Sequence, residues 1–206
     1  MAAARRGRVV VLASGGGTNF QALVDATTSK SLDADIVALV TDQPLALVIH
    51  RAVAAGIEPA MVERAGGETR GDYDARLAEI VGSFEPDVVV LAGWMRLLTM
   101  AFLGQFPDRV INLHPALPGE FPGINAIERA LEAAQRLGLR RTGVMVHFVP
   151  DEGTDDGPLV ASVEVEIRTD DTLDTLASRV HAAEHTLLVQ AVAAVLAARR
   201  PSPSVS

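Results

Sequence analysis

The run Pro86-Asp87-Val88-Val89-Val90-Leu91-Ala92 constrains this chain more than any other stretch. No polar residue alternates with its apolar ones, so a strand built from it has to be covered on both faces. That is the environment of a parallel sheet between helices. Val9 to Ala13 repeats the pattern, and Asp35 to Val40 (Asp-Ile-Val-Ala-Leu-Val) reads as a further strand of the sheet. Apolar residues make up 49% of the chain and aromatics only 4%, with Val and Ala dominant, a balance that suits an α/β protein. The 206 residues suffice for one large domain or two small ones. No internal repeat or linker divides them. The expectation is one domain over 8–199, after a short basic extension at 1–7 and before a frayed, disordered tail at 200–206.

A net charge of −8 and an isoelectric point near 5.1 argue against a nucleic-acid binder, while leaving room for a local basic pocket. With no cysteine, disulfides, a thiolate catalyst and Cys-ligated metals are excluded, which fits a cytoplasmic protein. The basic N-terminus is not followed by a signal-peptide core, and no stretch reads as the roughly 20 apolar residues of a bilayer span. The sequence leaves monomer and homodimer both open.

Glycines follow the first strand at once: Ser14-Gly15-Gly16-Gly17-Thr18-Asn19, then Phe20 to Ala26 at helical spacing. Strand, glycine turn and helix start together favour an anion, because bare backbone N–H groups and the positive helix end converge there. Thr18 and Asn19 can cap the helix or donate to a phosphate. There is no Gly-Lys-Ser/Thr, and Phe20 stands where a dinucleotide fingerprint needs glycine. A monophosphate fits better than a dinucleotide, and Asp42, after the second strand, then reads as a turn residue. Helices are expected over Leu45 to Ala55, Asp72 to Val81, Met100 to Phe106, Asn125 to Leu137 and Thr172 to Ala198. Pro59 to Val62 reads as a short strand. Arg70, just before the second of those helices, reads from pattern alone as a solvated charge.

Gly93-Trp94-Met95-Arg96-Leu97-Leu98 follows the central strand, where open α/β sheets hold ligands. An apolar wall with one Arg suits a flat heteroaromatic ligand, and an ordinary amphipathic turn would read the same. The next strand, Val110 and Ile111, ends in Asn112-Leu113-His114-Pro115. Asn112 and His114 are two apart and so share a face, pairing an amide with an imidazole that titrates near neutrality. An acid–base and oxyanion pair and a capped strand end both fit that pattern. Gly143 to Val149 is a strand in which His147 reads as structural. Asp151-Glu152-Gly153-Thr154-Asp155-Asp156-Gly157 is a carboxylate-rich loop, and Leu159 to Ile167 alternates as a strand with one wet face. His181, Glu184 and His185 read as surface residues of the last helix.

Taken in order, Ser14–Asn19, Ala92–Arg96, Asn112–Pro115, Thr142–His147 and Asp151–Pro158 resemble the phosphoribosylglycinamide formyltransferase family over roughly residues 8 to 198. The resemblance implies a Rossmann-like formyltransferase fold, a mostly parallel twisted sheet flanked by helices. It implies a ribonucleotide phosphate on Gly16, Gly17, Thr18 and Asn19, with Glu184 also contacting that substrate. It implies a folate pocket of Arg70, Met95, Arg96, Leu97, Leu98 and Asn112 with the loop Asp151, Glu152, Gly153, Thr154 and Asp155. It implies a catalytic triad of Asn112, His114 and Asp155, with 10-formyltetrahydrofolate as formyl donor and no metal. The acidic loop is one residue longer than in many relatives, and the Asp-x-Gly-Pro context selects Asp155 over Asp156. The loop Ala116-Leu-Pro-Gly-Glu-Phe-Pro-Gly123 departs from the Leu-Leu-Pro form common in bacterial relatives.

The residue types suit the implied chemistry. An amine attacks the formyl carbon, Asn112 and a protonated His114 donate to the oxyanion, and Asp155 holds His114 charged while relaying a proton through water. The rivals are formyltetrahydrofolate hydrolase, which hands the formyl group to water, and a non-catalytic nucleotide-binding protein that uses only the first turn. Methionyl-tRNA formyltransferase fits less well, for want of a further C-terminal domain and a basic surface.

Overall fold

The computed structural model describes residues 5–199, so the first four residues of the basic prefix and the tail at 200–206 lie outside the described residues. One seven-stranded sheet carries the order β3-β2-β1-β4-β5-β6-β7. Strands β1 (Gly7–Leu12), β2 (Ala34–Thr41), β3 (Pro59–Met61), β4 (Val88–Leu91) and β5 (Val110–His114) run parallel. β6 (Arg141–Phe148) and β7 (Leu159–Glu166) then continue the sheet antiparallel.

The unbroken apolar runs arise because alternate residues serve two separate cores. Val9, Val11, Val88, Val90 and Ile111 pack with α1 (Thr18–Thr28) and α6 (Leu173–Arg199), through Phe20, Leu23 and Leu188. Val10, Leu12, Val89, Leu91 and Val110 pack on the other face with α3 (Arg70–Ser83) and α4 (Met100–Leu103), through Tyr73, Leu77 and Phe102. Val88, Val89 and Val90 are all fully buried, which stabilises the fold by about 1.5–3 kcal/mol for each side chain. α6 is long and apolar enough to cross a membrane, contrary to the sequence expectation. Its Leu176, Val180, Leu188 and Val192 are spent instead on the first core.

Element ends differ from expectation for local reasons. α3 begins at Arg70 because Thr69 caps it: Thr69 Oγ1 accepts from Asp72 N–H (3.1 Å) and donates to Asp72 Oδ2 (2.7 Å). α2 (Val48–Ala54) starts three residues later than expected, where Val48 N–H donates to Gly15 O (3.1 Å). α4 stops at Leu103, and α5 runs Ala126–Leu137. β7 has wetter faces than its alternation implies: Val165 is buried, but Val163 is exposed at the sheet edge.

β1 lies between β2 and β4, so chain connections leave it in opposite directions. That switch point opens a crevice beyond the carboxyl ends of β1 and β4. The loops after the two strands are tied together there, by Ser14 N–H to Gly93 O (3.0 Å) and Met95 N–H to Ser14 Oγ (3.1 Å).

Candidate active site

β5 delivers Asn112 and His114 to its carboxyl end on one face. Antiparallel pairing with β6 sets His147 opposite Asn112 and Met145 opposite His114. The loop between β6 and β7 returns over this strand end and drops Asp155, in a left-handed conformation (φ +55°), onto the pair. Asn112 Nδ2 donates to Asp155 Oδ1 (2.9 Å), while Asp155 Oδ2 stands 3.3 Å from His114 Nδ1 and accepts from Gly123 N–H (2.7 Å). His114 Nε2 donates to Phe121 O (3.1 Å), since a carbonyl can only accept. His147 Nδ1 donates to Phe148 O (2.8 Å), and its Nε2 stands 3.3 Å from Asn112 Nδ2 and 3.4 Å from Asp155 Oδ1. His147, expected to be structural, is thus a fourth member of the cluster.

The electrostatics correct the expected state of His114. Burial pushes the imidazole below its ordinary value, and the raising influences of Asp155 and Phe121 O do not offset it. The resting ring is therefore neutral near pH 7, not held charged by its carboxylate. Burial also works against ionised Asp155, but contacts with His147, Gly123 N–H and His114 together bring it below the usual carboxylate range. A neutral imidazole beside an ionised carboxylate is poised to take up a proton.

The cluster lies in the wall of a cavity of about 740 Å³. Met95, Arg96, Leu97 and Leu98 form one side of it, and Asp151, Gly153, Thr154 and Asp155 another. Asn19 and Glu184 stand in the same wall, Asn19 Nδ2 donating to Glu184 Oε2 (3.0 Å). Gly16, Gly17 and Thr18 are outside that wall, as are Arg70 and Glu152, which face each other at 4.0 Å. Arg70 also donates to Leu97 O (3.2 Å), and Glu152 Oε1 accepts from Met100 N–H (3.1 Å), so both brace the loop after β4. Of the adjacent pair, Asp155 reaches the wall and Asp156 does not.

At the glycine turn, Gly17 precedes α1 with φ +73°, and a Cβ there would strike the Val48 side chain and come within 2.9 Å of its Cα. Neither Thr18 nor Asn19 caps α1. Gln21 N–H is the first helix donor met by a backbone carbonyl, that of Gly17 (2.9 Å), which leaves the opening N–H groups available to an anion.

One further reading changes and another gains a partner. Glu184 is buried, with 6% of its surface exposed, and is not on a surface face; burial pushes its carboxyl up, while the Asn19 amide and His181 pull it back. Asp42 is a turn residue with a buried ion pair: its Oδ2 lies 2.7 Å from Arg96 Nε, its side chain is 1% exposed, and Arg96 also stacks 5.2 Å from the Tyr73 ring centre. His181, read from sequence only as a surface residue, and Ile124, given no role there, also line the cavity.

Residues 7–192 match the family model described as Formyl transferase, and the chain belongs to that family. It is similar to the phosphoribosylglycinamide formyltransferase of Schizosaccharomyces pombe, 41% identical over 196 residues, covering 89% of this chain and 94% of that protein. Similarity to the Bacillus subtilis protein of the same name is 38% over 178 residues, 86% of this chain and 89% of the relative. Against the trifunctional purine biosynthetic protein adenosine-3 of Drosophila melanogaster, identity is 38% over 94% of this chain, which spans only 14% of that relative's length. The crystal structure of glycinamide ribonucleotide transformylase 1 from Symbiobacterium toebii superposes with a TM-score of 0.89 at 33% identity, covering 98% of this chain and 93% of the other.

Proposed function

We propose that this chain transfers the formyl group of 10-formyltetrahydrofolate to the amine of 5'-phosphoribosylglycinamide, a cytoplasmic step of de novo purine biosynthesis. One observation carries the reading. Asn112, His114 and Asp155 meet in the wall of one cavity, between an apolar side at Met95–Leu98 and a polar side at Asn19 and Glu184. Relatives that this chain covers almost end to end bear the name phosphoribosylglycinamide formyltransferase. The pterin of the folate would lie against the apolar side, and the ribonucleotide phosphate against the opening N–H groups of α1.

In the reaction the amine lone pair forms a bond to the formyl carbon, and the C=O electron pair moves to oxygen. Asn112 is the first donor to that oxyanion. One of its amide hydrogens is held by Asp155, so the other, only loosely engaged by His147 at 3.3 Å, is the one left to meet the new charge. Neutral His114, backed by Asp155, accepts the proton shed by the amine through water, and the imidazolium so formed stabilises the oxyanion from the other side. Collapse restores the C=O, breaks the bond to the folate N10, and returns the proton to that nitrogen. A formyl-transfer assay with and without the ribonucleotide tests the reading. Folate product that appears only with the ribonucleotide supports it. Equal release without it means hydrolysis, and ligand binding with no turnover in either tube means a non-catalytic binder.

A further inference from the structure

The loop joining β5 to α5 is held in an unusual backbone state. Gly119 (φ +77°), Phe121 (φ +46°), Gly123 (φ +80°) and Asn125 (φ +56°) alternate through the left-handed region, which Phe above all rarely adopts. The same loop makes two of the contacts at the cluster: Phe121 O accepts from His114 Nε2 (3.1 Å), and Gly123 N–H donates to Asp155 Oδ2 (2.7 Å). A relaxed loop would forfeit both. Arg129, in the first turn of α5, closes over it. Its Nη1 donates to Pro122 O (2.6 Å) and Ile124 O (3.1 Å), and its guanidinium carbon lies 5.7 Å from the centre of the Phe121 ring.

We infer that Arg129 is a positioning residue for His114 and Asp155: by clasping residues 121, 122 and 124 it fixes the one loop conformation that presents Phe121 O and Gly123 N–H to them. Arginine suits this because Nη1 meets both carbonyls while the flat guanidinium lies by the Phe121 ring, a planar contact that the shorter-reaching, tetrahedral ammonium of lysine does not reproduce. The charged and titratable groups acting on His114 are Asp155, His147 and Arg129 itself. Burial is the main influence lowering His114, and the Arg129 charge lowers it further. Freeing the loop admits water to the ring and removes the Arg129 charge; because burial is the largest influence, this outweighs the loss of the raising contact with Phe121 O.

The turnover arm of the test rests on the proposed formyl transfer; the titration arm does not. In Arg129→Met, kcat is expected to fall about 10- to 100-fold while both KM values stay within about threefold, below the loss for a group in direct contact with reacting atoms. The His114 imidazole, followed by NMR without ligands, should titrate at higher pH than in the wild type. Guanidinium ion at sub-denaturing concentration should restore part of the rate to Arg129→Ala. Arg129→Lys keeps the charge and should remain slow; full activity there would overturn the clasp in favour of charge alone. An Arg129→Met enzyme with kcat within twofold and His114 unmoved would overturn the inference outright. A wild type inert in formyl transfer would refute the proposed function, and the His114 titration would still decide the role of Arg129.

Discussion

Asn112 and Asp155 stand 43 positions apart in the chain and meet at 2.9 Å, and the other oxygen of Asp155 faces His114 at 3.3 Å. One carboxylate thus orients both the amide and the imidazole. Asp155→Asn keeps the volume and removes the charge. It is expected to lower kcat by about 10²–10⁴-fold, with circular dichroism unchanged. Initial rates of Asp155→Asn and His114→Ala are the check, and near-normal turnover in both would remove the triad from the mechanism.

Because burial keeps His114 neutral at rest, kcat/KM should rise with pH through an acid limb whose midpoint lies below the ordinary histidine value of about 6.5. Asp155→Asn, which takes away a raising influence, should move residual activity's limb lower still. Stability follows the same sign. The unfolded chain binds the His114 proton more readily, so this contribution is present above about pH 6.5 and is lost as pH falls through the lowered folded value. A pH series of rates and of urea midpoints measures both.

The Asp42–Arg96 pair predicts a split between binding and chemistry. Loss of a fully buried partner costs about 3–5 kcal/mol, but Arg96 keeps contact with water, so Asp42→Asn should cost about 1–3 kcal/mol. Arg96 would then lose its anchor in the cavity wall. The expected kinetic result is a higher KM for the folate with kcat nearly kept, read from saturation curves beside a denaturant titration.

Glu184 gives the opposite pH sign from His114. Its carboxyl is raised above 4.5 by burial, so the folded state holds the proton longer and its stabilising share declines as pH rises from about 4.5 through the raised value. Glu184→Gln should therefore raise the unfolding temperature at pH 7 and change it little near pH 4. Loss of a charge-assisted hydrogen bond worth about 1.5 kcal/mol should raise KM for the ribonucleotide roughly tenfold. Thermal melts at the two pH values and saturation kinetics decide it.

Much of this architecture was legible in the sequence because its signals are local. Val88 to Leu91 reads as a strand buried on both sides and is one, and the glycines after Ala13 mark the strand-to-helix turn. Helix ends were legible unevenly: α5 ends at Leu137 as expected, whereas the unread cap at Thr69 starts α3 at Arg70. The role of His147 was hidden because it depends on the β5–β6 register, a property of two strands and not of either one. Glu184 was misplaced, and the partner of Asp42 hidden, for a related reason. A charge that finds its partner 165 or 54 positions away looks solvated until the chain is folded.

The reversal of strand direction between β5 and β6 has a consequence for how this protein can change. The register that pairs Asn112 with His147 also sends Val144 and Val146 of β6 into the first core. A slip of one residue along β6 would turn His147 away from Asn112 and drive those valines toward the opposite side of the sheet. Chemistry and solubility would be lost in one step. Drift that shifts this strand is then removed as misfolding before it can surface as a weakened enzyme, so variation should gather in the loops that reach over the strand ends.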